Sequence, residues 1–559
     1  MLKLKENKEG GNMLSITVKV NGEKYNYPKG TSLLDISKDF QSEFKEKIIV
    51  GMVNGAICDL SHNVFNNSEV VFYDRTSSIG NKVYESGLLF ILSYTFKEVL
   101  KSKIIVKYSL DTGIFIKTEK LISSDDLDVV KAKVKEICDA NYPIDKLLIN
   151  RKEAISYYEK LGESDKSELL KYNTNTNVNL YKLNNTYDYY FGNLPISTSY
   201  IDDFKLTLID RNSFVVTYPN IYTNKLVYKH HEKLYTTFKQ YSDWCSTLNI
   251  NSLCDLNKII SEGNINDYIL LAESYQNQGL YEIVRKIYGD KNLKIVLISG
   301  PSSSGKTTFS RKLQLLLKGC GLNPKTISID DYFVDRDKTP VDEDGNYDYE
   351  NINAIKLDQF NRDLNKLLDG EKVKIPTYNF ILGKGEYIDE PMELGDKEIL
   401  IVEGLHALNN ELTSLVPKRY KFRIYLSPLV TMNLDNHNRI RTTDVRILRR
   451  IIRDNRTRGY DCSASLESWS RVRKGEEKNV FPFQDEADVI FNSSLFYELG
   501  ILKTYVEPLL FKVEESDKNY KEAVRLLNLL KNVLTIPSDF IPKDSIIREF
   551  IGDSYFFEK

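Results

Sequence analysis

Residues 300–308 combine residue types and a spacing that suit the binding of a nucleotide phosphate. Their sequence, GPSSSGKTT, follows the apolar run KIVLIS at 294–299 and precedes an amphipathic stretch that extends to Leu317. In a strand–loop–helix context, glycines let backbone N–H groups surround a phosphate, Lys306 reaches the β- and γ-phosphates, and Thr307 can hold Mg²⁺. The pattern predicts that ATP or GTP is bound by Gly300, Pro301, Ser302, Ser303, Ser304, Gly305, Lys306, Thr307 and Thr308.

Two further segments end in carboxylates that could act beside this loop. The segment from Thr326 to Phe333, TISIDDYF, is typical of a strand that ends in Asp330 and Asp331, and the apolar segment EILIVE ends in Glu403. A carboxylate at the carboxyl end of a parallel strand can accept a proton from a substrate hydroxyl or help to hold a metal ion. It can also cap a helix, and spacing alone does not decide between the two adjacent aspartates.

Residues 437–458 form a strongly cationic segment. Several of its arginines recur at three- and four-residue steps, which places them on one face of a predicted helix. Such a face suits a lid that closes over phosphates, although a solvated surface helix or an RNA-binding face would show the same pattern. Gly459 follows as a predicted helix end and hinge. The arginines are Arg439, Arg441, Arg446, Arg449, Arg450, Arg453, Arg456 and Arg458.

The elements that must position these residues divide the 559-residue chain into several parts, because one hydrophobic core rarely exceeds about 300 residues. A hairpin at Asn21-Gly22, a short helix and further strands predict a β-grasp module over 13–75. Residues 76–218 have an α+β pattern and 219–290 form a helical connector. Strands and helices alternate over 291–513, which predicts a parallel sheet, and 514–559 form a helical tail. The expected fold class is therefore α/β, with these modules in front.

Composition excludes several classes of protein. The net charge of −2 argues against a polycation, so a phosphate or nucleic-acid site must be local. The six cysteines show no CxxC spacing, and no apolar run is long enough to span a bilayer. The charged N-terminus lacks the apolar core of a signal peptide, so 1–12 are predicted to be a disordered lead-in with Met13 as an alternative start. These features predict a cytoplasmic protein.

Six motifs in the second half occur in the order found in the uridine kinase/phosphoribulokinase family, and uridine kinase is the nearer resemblance. The motifs are GPSSSGKTT, SIDDYF, NYDYEN, PTYNF, IVEGLHALN and RRIIRDNRTRG, and the similarity extends over about 291–513. The resemblance implies a kinase that uses ATP and Mg²⁺. It implies that Asp330 is the catalytic base and that Lys306 and Arg453 also act in catalysis. Arg450 and Arg458 would contact the nucleotide, and Mg²⁺ would lie near Thr307, Asp330 and Glu403. The nucleoside acceptor would bind at Asp348 and Tyr378.

Two departures from the family pattern concern the acceptor. A histidine that contacts the base in uridine kinases aligns with Gly383, and an arginine after the Arg-Gly of the lid aligns with Tyr460. Both changes affect acceptor choice and neither touches the phosphoryl-transfer residues. The leading interpretation is phosphorylation of the 5′-hydroxyl of uridine or cytidine. The alternatives are the same chemistry on another small alcohol or sugar phosphate, and an RNA-binding regulatory protein whose kinase half is a nucleotide switch.

The first half resembles threonyl-tRNA synthetase. Residues 13–75 are similar to its TGS module, and 76–218 are similar to its editing domain, which binds zinc through an HxxxH helix and a later Cys and His. Those positions fall at Gly87, Ile91, Tyr190 and Leu194, which supply no zinc ligand. The resemblance therefore implies a degenerate editing scaffold without zinc. It leaves open whether this half binds tRNA and whether the chain forms a homo-oligomer; no membrane partner is expected.

Overall fold

The computed structural model describes residues 15–342, 345–379, 382–387, 390–395 and 397–557. The predicted lead-in at 1–12 and Met13 lie outside these ranges, as does Phe380 of the PTYNF motif. Within them, no helix is both long enough and apolar enough to cross a membrane. The expected fold class is confirmed: a parallel α/β sheet is preceded by two smaller β-rich modules.

The first module is a five-stranded sheet with the order β2-β1-β7-β4-β5, in which β1 and β7 run parallel. Asn21 and Gly22 have positive φ angles of 50° and 85°, so the predicted Asn-Gly turn joins β1 to β2. Leu33 and Ile36 of the single helix are fully buried against the sheet. The elements are β1 (Ser15–Val20), β2 (Glu23–Pro28), β3 (Thr31–Ser32), α1 (Leu33–Lys38), β4 (Ile48–Val53), β5 (Ala56–Cys58), β6 (Asn63–Val64) and β7 (Ser68–Asp74).

The second module contains two antiparallel sheets, with the orders β13-β14-β9-β8 and β10-β11-β12. The apolar run at 88–96 forms the second half of a largely buried central helix, α2, and the start of the turn after it, rather than a membrane span. The elements are α2 (Ser78–Thr95), β8 (Ile104–Leu110), β9 (Gly113–Thr118), α3 (Ser124–Asp139), β10 (Asp145–Asn150), α4 (Arg151–Leu161), α5 (Ser164–Lys171), β11 (Asn177–Leu183), β12 (Thr186–Tyr189), β13 (Lys205–Asp210) and β14 (Ser213–Thr217).

Three helices follow the second module: α6 (Glu232–Thr247), α7 (Leu253–Ser261) and α8 (Ile265–Gly289). Trp244 on α6 stacks on Tyr275 of α8 with ring centroids 4.2 Å apart. Apolar residues of all three helices share a core cluster with the C-terminal helices. The connector is thus packed into the body of the C-terminal half.

The C-terminal half is built on a five-stranded parallel sheet with the order β16-β19-β15-β20-β21. Its central strand, β15, is buried along its whole length, which explains its unbroken apolar sequence. The elements are β15 (Ile295–Ser299), α9 (Lys306–Gly319), β16 (Asn323–Ser328), α10 (Leu357–Leu368), β17 (Pro376–Asn379), β18 (Lys384–Tyr387), β19 (Glu398–Glu403), β20 (Lys421–Ser427), α11 (Thr442–Thr457), α12 (Cys462–Asn479), β21 (Val489–Asn492), α13 (Glu498–Leu510), α14 (Tyr520–Leu530) and α15 (Arg548–Ile551).

Buried charged side chains join the two halves of the chain. Lys166 and Asp188 of the second module form an ion pair, and both contact the imidazole of His437 from the kinase half. The Asp188 Oδ2–His437 Nδ1 distance is 2.5 Å, and Ser93 Oγ lies 3.1 Å from His437 Nε2. We call Lys166, Asp188 and His437 the interdomain ionic cluster. Although burial alone would raise the pKa of Asp188, His437 and Lys166 hold it well below its usual range.

A second set of ion pairs lies beside this cluster. Glu85 of α2 accepts hydrogen bonds from Arg439 Nε and Nη2 and from Arg441 Nη2, all at 3.0 Å. These arginines stand directly before α11, the helix predicted to carry the lid. The start of that helix is therefore tied to the N-terminal half.

Candidate active site

The loop at 300–305 lies between the carboxyl end of β15 and the start of α9. A Cβ at Gly300 would lie 2.0 Å from the carbonyl oxygen of Leu426, so a larger residue does not fit there. Ser303 and Gly305 have positive φ angles of 60° and 91°. Left-handed residues of this kind create concave groups of backbone N–H donors that bind anions. This is the backbone arrangement that a phosphate-binding loop requires.

Lys306 and Thr307 occupy the first turn of α9. Lys306 Nζ donates to the carbonyl oxygens of Gly300 at 2.9 Å and Pro301 at 3.2 Å, so the ammonium group is folded back over the loop. Thr307 Oγ1 lies 3.4 Å from Glu403 Oε1 at the end of β19. Burial lowers the pKa of Lys306, and the negative charges of Glu403 and Asp330 oppose this shift. The lysine is therefore surrounded by the two predicted catalytic and metal-binding acids.

The acids Asp330 and Asp331 do not end a strand as predicted from the sequence. Strand β16 ends at Ser328, and Ile329–Tyr332 form a 3₁₀ turn. The turn nevertheless separates the two side chains. Asp331 Oδ1 lies 3.3 Å from Thr377 Oγ1 and 3.4 Å from the N–H of Tyr378, both on β17. Asp330 instead lies within the electrostatic reach of Lys306 and of two lid arginines.

The surroundings of Asp330 and Glu403 favour their protonated forms. Solvent reaches the Asp330 side chain. The surrounding protein nevertheless raises the pKa of this carboxyl through partial desolvation, and the charges of Lys306, Arg458 and Arg453 oppose the shift. Burial also raises the pKa of Glu403 to about 7, with Lys306 opposing and Asp330 adding to the shift. Two carboxylates that repel one another in this way are suited to share a cation.

Oxygen atoms of Thr307, Glu403 and Asp330 are the type of ligand that Mg²⁺ prefers. Within the described ranges, no group of three or more His, Cys, Asp or Glu side chains is arranged to hold a metal unaided. Magnesium ions in kinases commonly complete their shell with water and substrate phosphates. The donor set therefore fits Mg²⁺ bound together with a nucleotide.

The three predicted lid arginines meet at one carboxylate. Arg450 Nε lies 3.1 Å from Asp454 Oδ2, and Arg453 Nη2 and Arg458 Nη1 lie 2.9 and 3.6 Å from Asp454 Oδ1. Arg450 Nη1 also donates to Ser302 Oγ at 3.1 Å. The structure thus brings these arginines to the phosphate-binding loop. Gly459 has a φ of 70° and follows the end of α11, as the sequence predicts.

Two other arginines of the same helix are not part of an open cationic face, contrary to the spacing-based expectation. Arg446 is buried in an ion pair with Glu476 and donates from Nε to the carbonyl of Ser302 at 2.9 Å. Arg449 is fully buried and lies 2.7 Å from Glu498. Helical spacing places side chains on a face but does not say what covers that face. These two arginines support the loop from behind.

The predicted acceptor residues lie on the segments next to Asp331. Phe333 forms edge-to-face contacts with Tyr349 and Tyr378, each with a centroid distance of 5.6 Å. Asp348 accepts a hydrogen bond from Asn351 Nδ2 at 3.3 Å. Burial raises the pKa of the neighbouring Glu350 to about 7. The charge of Arg450 opposes this shift, and the charges of Glu476, Asp348 and Asp330 add to it. Glu350 belongs to the NYDYEN motif, but the resemblance assigned a role only to its neighbour Asp348.

Gly383, which replaces the base-contacting histidine of the family pattern, has no room for a side chain. Its φ is 68°, and a Cβ would lie 2.8–2.9 Å from three atoms of the Arg336 side chain. The backbone N–H of Arg336 donates to the carbonyl of Gly383 at 2.9 Å. A guanidinium group therefore occupies the space beside this position.

Sequence reasoning also missed two carboxylates that bind the phosphate-binding loop. Glu476 on α12 accepts from the N–H of Ser302 at 2.7 Å. Glu549 on the C-terminal helix α15 accepts from the N–H and Oγ1 of Thr308 at 3.0 and 2.9 Å. Neither acid belongs to a motif, and Glu549 lies far along the chain in the predicted tail. The only available signal was the expectation that this tail docks on the body.

The four positions that correspond to zinc ligands in editing domains converge in the second module, but they fit no zinc ion. Ile91, Tyr190 and Leu194 are buried in one apolar cluster. A Cβ at Gly87 would lie 2.6 Å from the ring of Pro195. Zinc needs nitrogen, sulfur or carboxylate ligands, and these side chains supply packing instead.

Known proteins resemble the two halves separately. Residues 295–496 match the model of the Phosphoribulokinase / Uridine kinase family. A uridine kinase of Staphylococcus aureus is 27% identical over 225 residues, which cover 40% of this chain and 99% of that kinase. A solved structure of a possible uridine kinase from Bacillus stearothermophilus matches with 18% identity and a TM-score of 0.25, over 36% of this chain and 89% of the other.

The N-terminal half is similar to threonine–tRNA ligases. The ligase of Carboxydothermus hydrogenoformans is 24% identical over 190 residues, which cover 33% of this chain and 30% of the ligase. The chain thus spans less than a third of the length of the ligases that it matches. Both resemblances read from the motifs are confirmed: the C-terminal half contains a domain of the phosphoribulokinase/uridine kinase family, and the half before it is similar to threonine–tRNA ligases.

Proposed function

We propose that this chain transfers the γ-phosphoryl group of ATP to the 5′-hydroxyl of a nucleoside, with uridine and cytidine as the leading acceptors. The observation that carries the proposal is the position of Asp330, which interacts with Lys306, Arg453 and Arg458 while its neighbour Asp331 turns toward β17. A nucleotide switch would not need a free carboxylate at this point. Membership of a kinase family supports a phosphotransferase.

Each group has a role in this reaction. Lys306 and the loop N–H groups hold the phosphates, and Asp330 accepts the proton of the attacking hydroxyl. Arg450, Arg453 and Arg458 stabilise the negative charge on the transferring group and help to exclude water. Thr307, Glu403 and Asp330 would hold Mg²⁺, which would supply further positive charge to the phosphate oxygens.

The surroundings of the acceptor residues support an aromatic acceptor but not a strict one. The rings of Phe333, Tyr349 and Tyr378 offer faces and edges against which a base can pack. The missing imidazole at Gly383 removes a hydrogen-bond partner, and loss of such a partner weakens discrimination by roughly 1–3 kcal/mol. Arg336 in that space also suits an acceptor that carries a carbonyl or a phosphate, which keeps sugar phosphates as the alternative.

The test is incubation of the protein with labelled ATP and a panel of nucleosides and sugar phosphates, followed by identification of the phosphorylated product. We expect pyrimidine nucleosides to be phosphorylated with a broader profile than uridine and cytidine alone.

Lys306→Ala should abolish tight binding of ATP·Mg²⁺ by calorimetry without changing the circular dichroism spectrum. ATP affinity unchanged in this variant, or strict use of uridine and cytidine at high efficiency, would contradict the respective part of the proposal.

A second candidate is an RNA-binding regulatory protein in which the kinase domain acts as a nucleotide switch. It is supported by the similarity of the N-terminal half to threonine–tRNA ligases. Binding of tRNA that depends on ATP, together with no phosphorylated product from any acceptor in the panel, would favour this candidate over the first.

A further inference from the structure

A cavity of about 810 Å³ lies between the N-terminal half, the segment before α11 and the tail helix α14. Its walls come from the start of α2, the end of β12, residues 437–441 and one face of α14. Neither the phosphate-binding loop nor Asp330 lines it, so it is separate from the site described above. Sites for small molecules typically enclose about 300–1,000 Å³, and the cavity is thus large enough for a mononucleotide.

The lining of the cavity carries an excess of positive charge. Its acids are Glu85 and Glu522, and each already binds arginine: Glu85 through the pairs with Arg439 and Arg441, Glu522 through Arg525 at 2.7 Å. The cations that line the cavity are Lys82, Lys146, Arg439, Arg441, Lys521, Arg525 and Lys531.

Two of these lysines have weak partners. Lys82 Nζ lies 3.6 Å from Glu522, which shares Arg525 with Asp444. Lys521 Nζ donates to the uncharged hydroxyl of Tyr73 at 3.0 Å. Burial, together with the guanidinium groups of Arg525 and Arg441, lowers the pKa of Lys82 to about 8. The charges of Glu522 and Asp444 oppose this shift. A bound anion would add to them, because cations outnumber acids in the lining.

Aromatic and amide side chains line other parts of the same cavity. Tyr190 is only 4% exposed, and its hydroxyl has no hydrogen-bond partner among the described residues. The hydroxyl oxygen is itself enclosed, so Tyr190 contributes its ring to the cavity wall. Tyr73, Phe191 and Tyr520 contribute partly exposed rings, which can pack on a planar ring system.

We infer that this cavity binds a small phosphate ester that carries an aromatic ring, of the size of a nucleoside monophosphate. Lys82 and Lys521 would hold the phosphate, and the aromatic side chains would hold the ring. A phosphate group needs cations and an aromatic base needs ring faces to pack on, and the cavity offers both. A free amino acid or an uncharged sugar would leave the excess of cations unmatched.

Pyridoxal 5′-phosphate is a suitable probe, because it is an aromatic phosphate ester whose aldehyde condenses with an unprotonated lysine amine. The full-length protein is treated at pH 8, reduced with borohydride and mapped by mass spectrometry. We expect labelling of Lys82, with UMP or AMP protecting it. Lys521→Gln should weaken UMP protection about tenfold, as for loss of a charged hydrogen bond. Lys518→Gln, an exposed change on the same tail outside the cavity, should not.

Labelling confined to Lys306 and exposed surface lysines would overturn the inference, and so would protection of Lys82 by tRNA but not by UMP. The UMP-protection experiment on the unmodified protein does not depend on any variant, so a folding defect cannot obscure it. Kinase activity is not the readout. Failure of the proposed phosphotransfer would therefore leave this test intact, and failure of this test would leave the phosphotransfer proposal intact.

Discussion

At the residue scale, the contrast between Asp330 and Asp331 is the sharpest test of the mechanism. Asp330→Asn should lower turnover by about 10²–10⁴, the usual loss when a general base is removed, while ATP binding is largely retained. Asp331→Asn should do much less, because its carboxylate is occupied by β17. Steady-state turnover at saturating ATP measures both. Equal losses, or a larger loss at Asp331, would place the base on the other carboxylate.

Glu403 should make the protein's stability depend on pH. Its pKa of about 7 exceeds the ordinary 4.5. Between these values the folded protein binds a proton that the unfolded chain lacks, so this group contributes stability below about pH 4.5 that is lost as the pH rises to 7. Without Mg²⁺, Glu403→Gln should therefore gain stability relative to the unmodified protein between pH 5 and pH 8, measured by urea denaturation. A difference in unfolding free energy between Glu403→Gln and the unmodified protein that does not change with pH would contradict this role of Glu403.

Functional residues could be identified from the sequence where they lie together in one contiguous segment. The loop at 300–308 and its lysine are encoded by local backbone geometry, so one segment reveals them. Glu476 and Glu549 reach the same loop from distant elements, and a carboxylate that arrives through tertiary packing leaves no local pattern. Asp330 was predicted to lie at the end of a strand and lies instead in a 3₁₀ turn, because such a turn after an apolar run has no distinct periodicity.

At the element scale, the docking of α15 should oppose nucleotide binding. Glu549 accepts from the N–H and hydroxyl of Thr308 at the start of α9, where a phosphate-binding loop presents donors to an anion. Two hydrogen bonds from Arg456 to the carbonyls of Glu549 and Phe550 hold the helix there. Glu549→Gln should therefore bind ATP more tightly, because a neutral amide is a weaker acceptor for these donors.

The matched control for this change is Glu515→Gln, which removes one charge from an exposed position of the same tail. Calorimetric titration of ATP·Mg²⁺ into both variants separates a local effect from a change in net charge. Weaker ATP binding in Glu549→Gln would mean that this carboxylate supports the loop rather than competing with the nucleotide.

The helix α2 and the end of β12 define a second prediction at this scale. With Gly87, Ile91, Tyr190 and Leu194 at the expected ligand positions, the purified protein should carry no stoichiometric zinc and should not deacylate mischarged tRNA. Metal analysis by mass spectrometry and a deacylation assay with seryl-tRNA check this. About one zinc ion per chain would refute it and would require ligands elsewhere.

At the scale of the whole molecule, the two halves should unfold together. The interdomain ionic cluster is buried between the halves, and Glu85, also buried, pairs there with the partly exposed Arg439 and Arg441. Separating the two halves would leave these charged side chains without their oppositely charged partners, and breaking a buried ion pair is strongly destabilising. We expect one calorimetric transition for the full chain, and lower stability and solubility for residues 291–559 alone. Two independent transitions, or an isolated kinase half with unchanged stability, would contradict this.

The overall arrangement could be predicted from the sequence to the level of modules and no further. Alternating strands and helices after 291 indicated the parallel sheet, and the Asn21-Gly22 turn indicated the first hairpin, because both have short-range signals. One of the contacts between the halves is made by His437, a single histidine in a segment otherwise notable for arginine. A single residue of that kind has no periodicity, and its partners Lys166 and Asp188 look like ordinary surface charges in the sequence.

The interdomain ionic cluster also has a consequence for synthesis of the chain. Asp188 and His437 are separated by 249 positions, and ribosomes add about 5–20 residues per second. Roughly 10–50 s must therefore pass between the appearance of Asp188 and that of the imidazole that covers it. During this interval the newly made second module carries Lys166 and Asp188 without their third partner, so its final packing must wait until the polypeptide has been extended through the segment before α11.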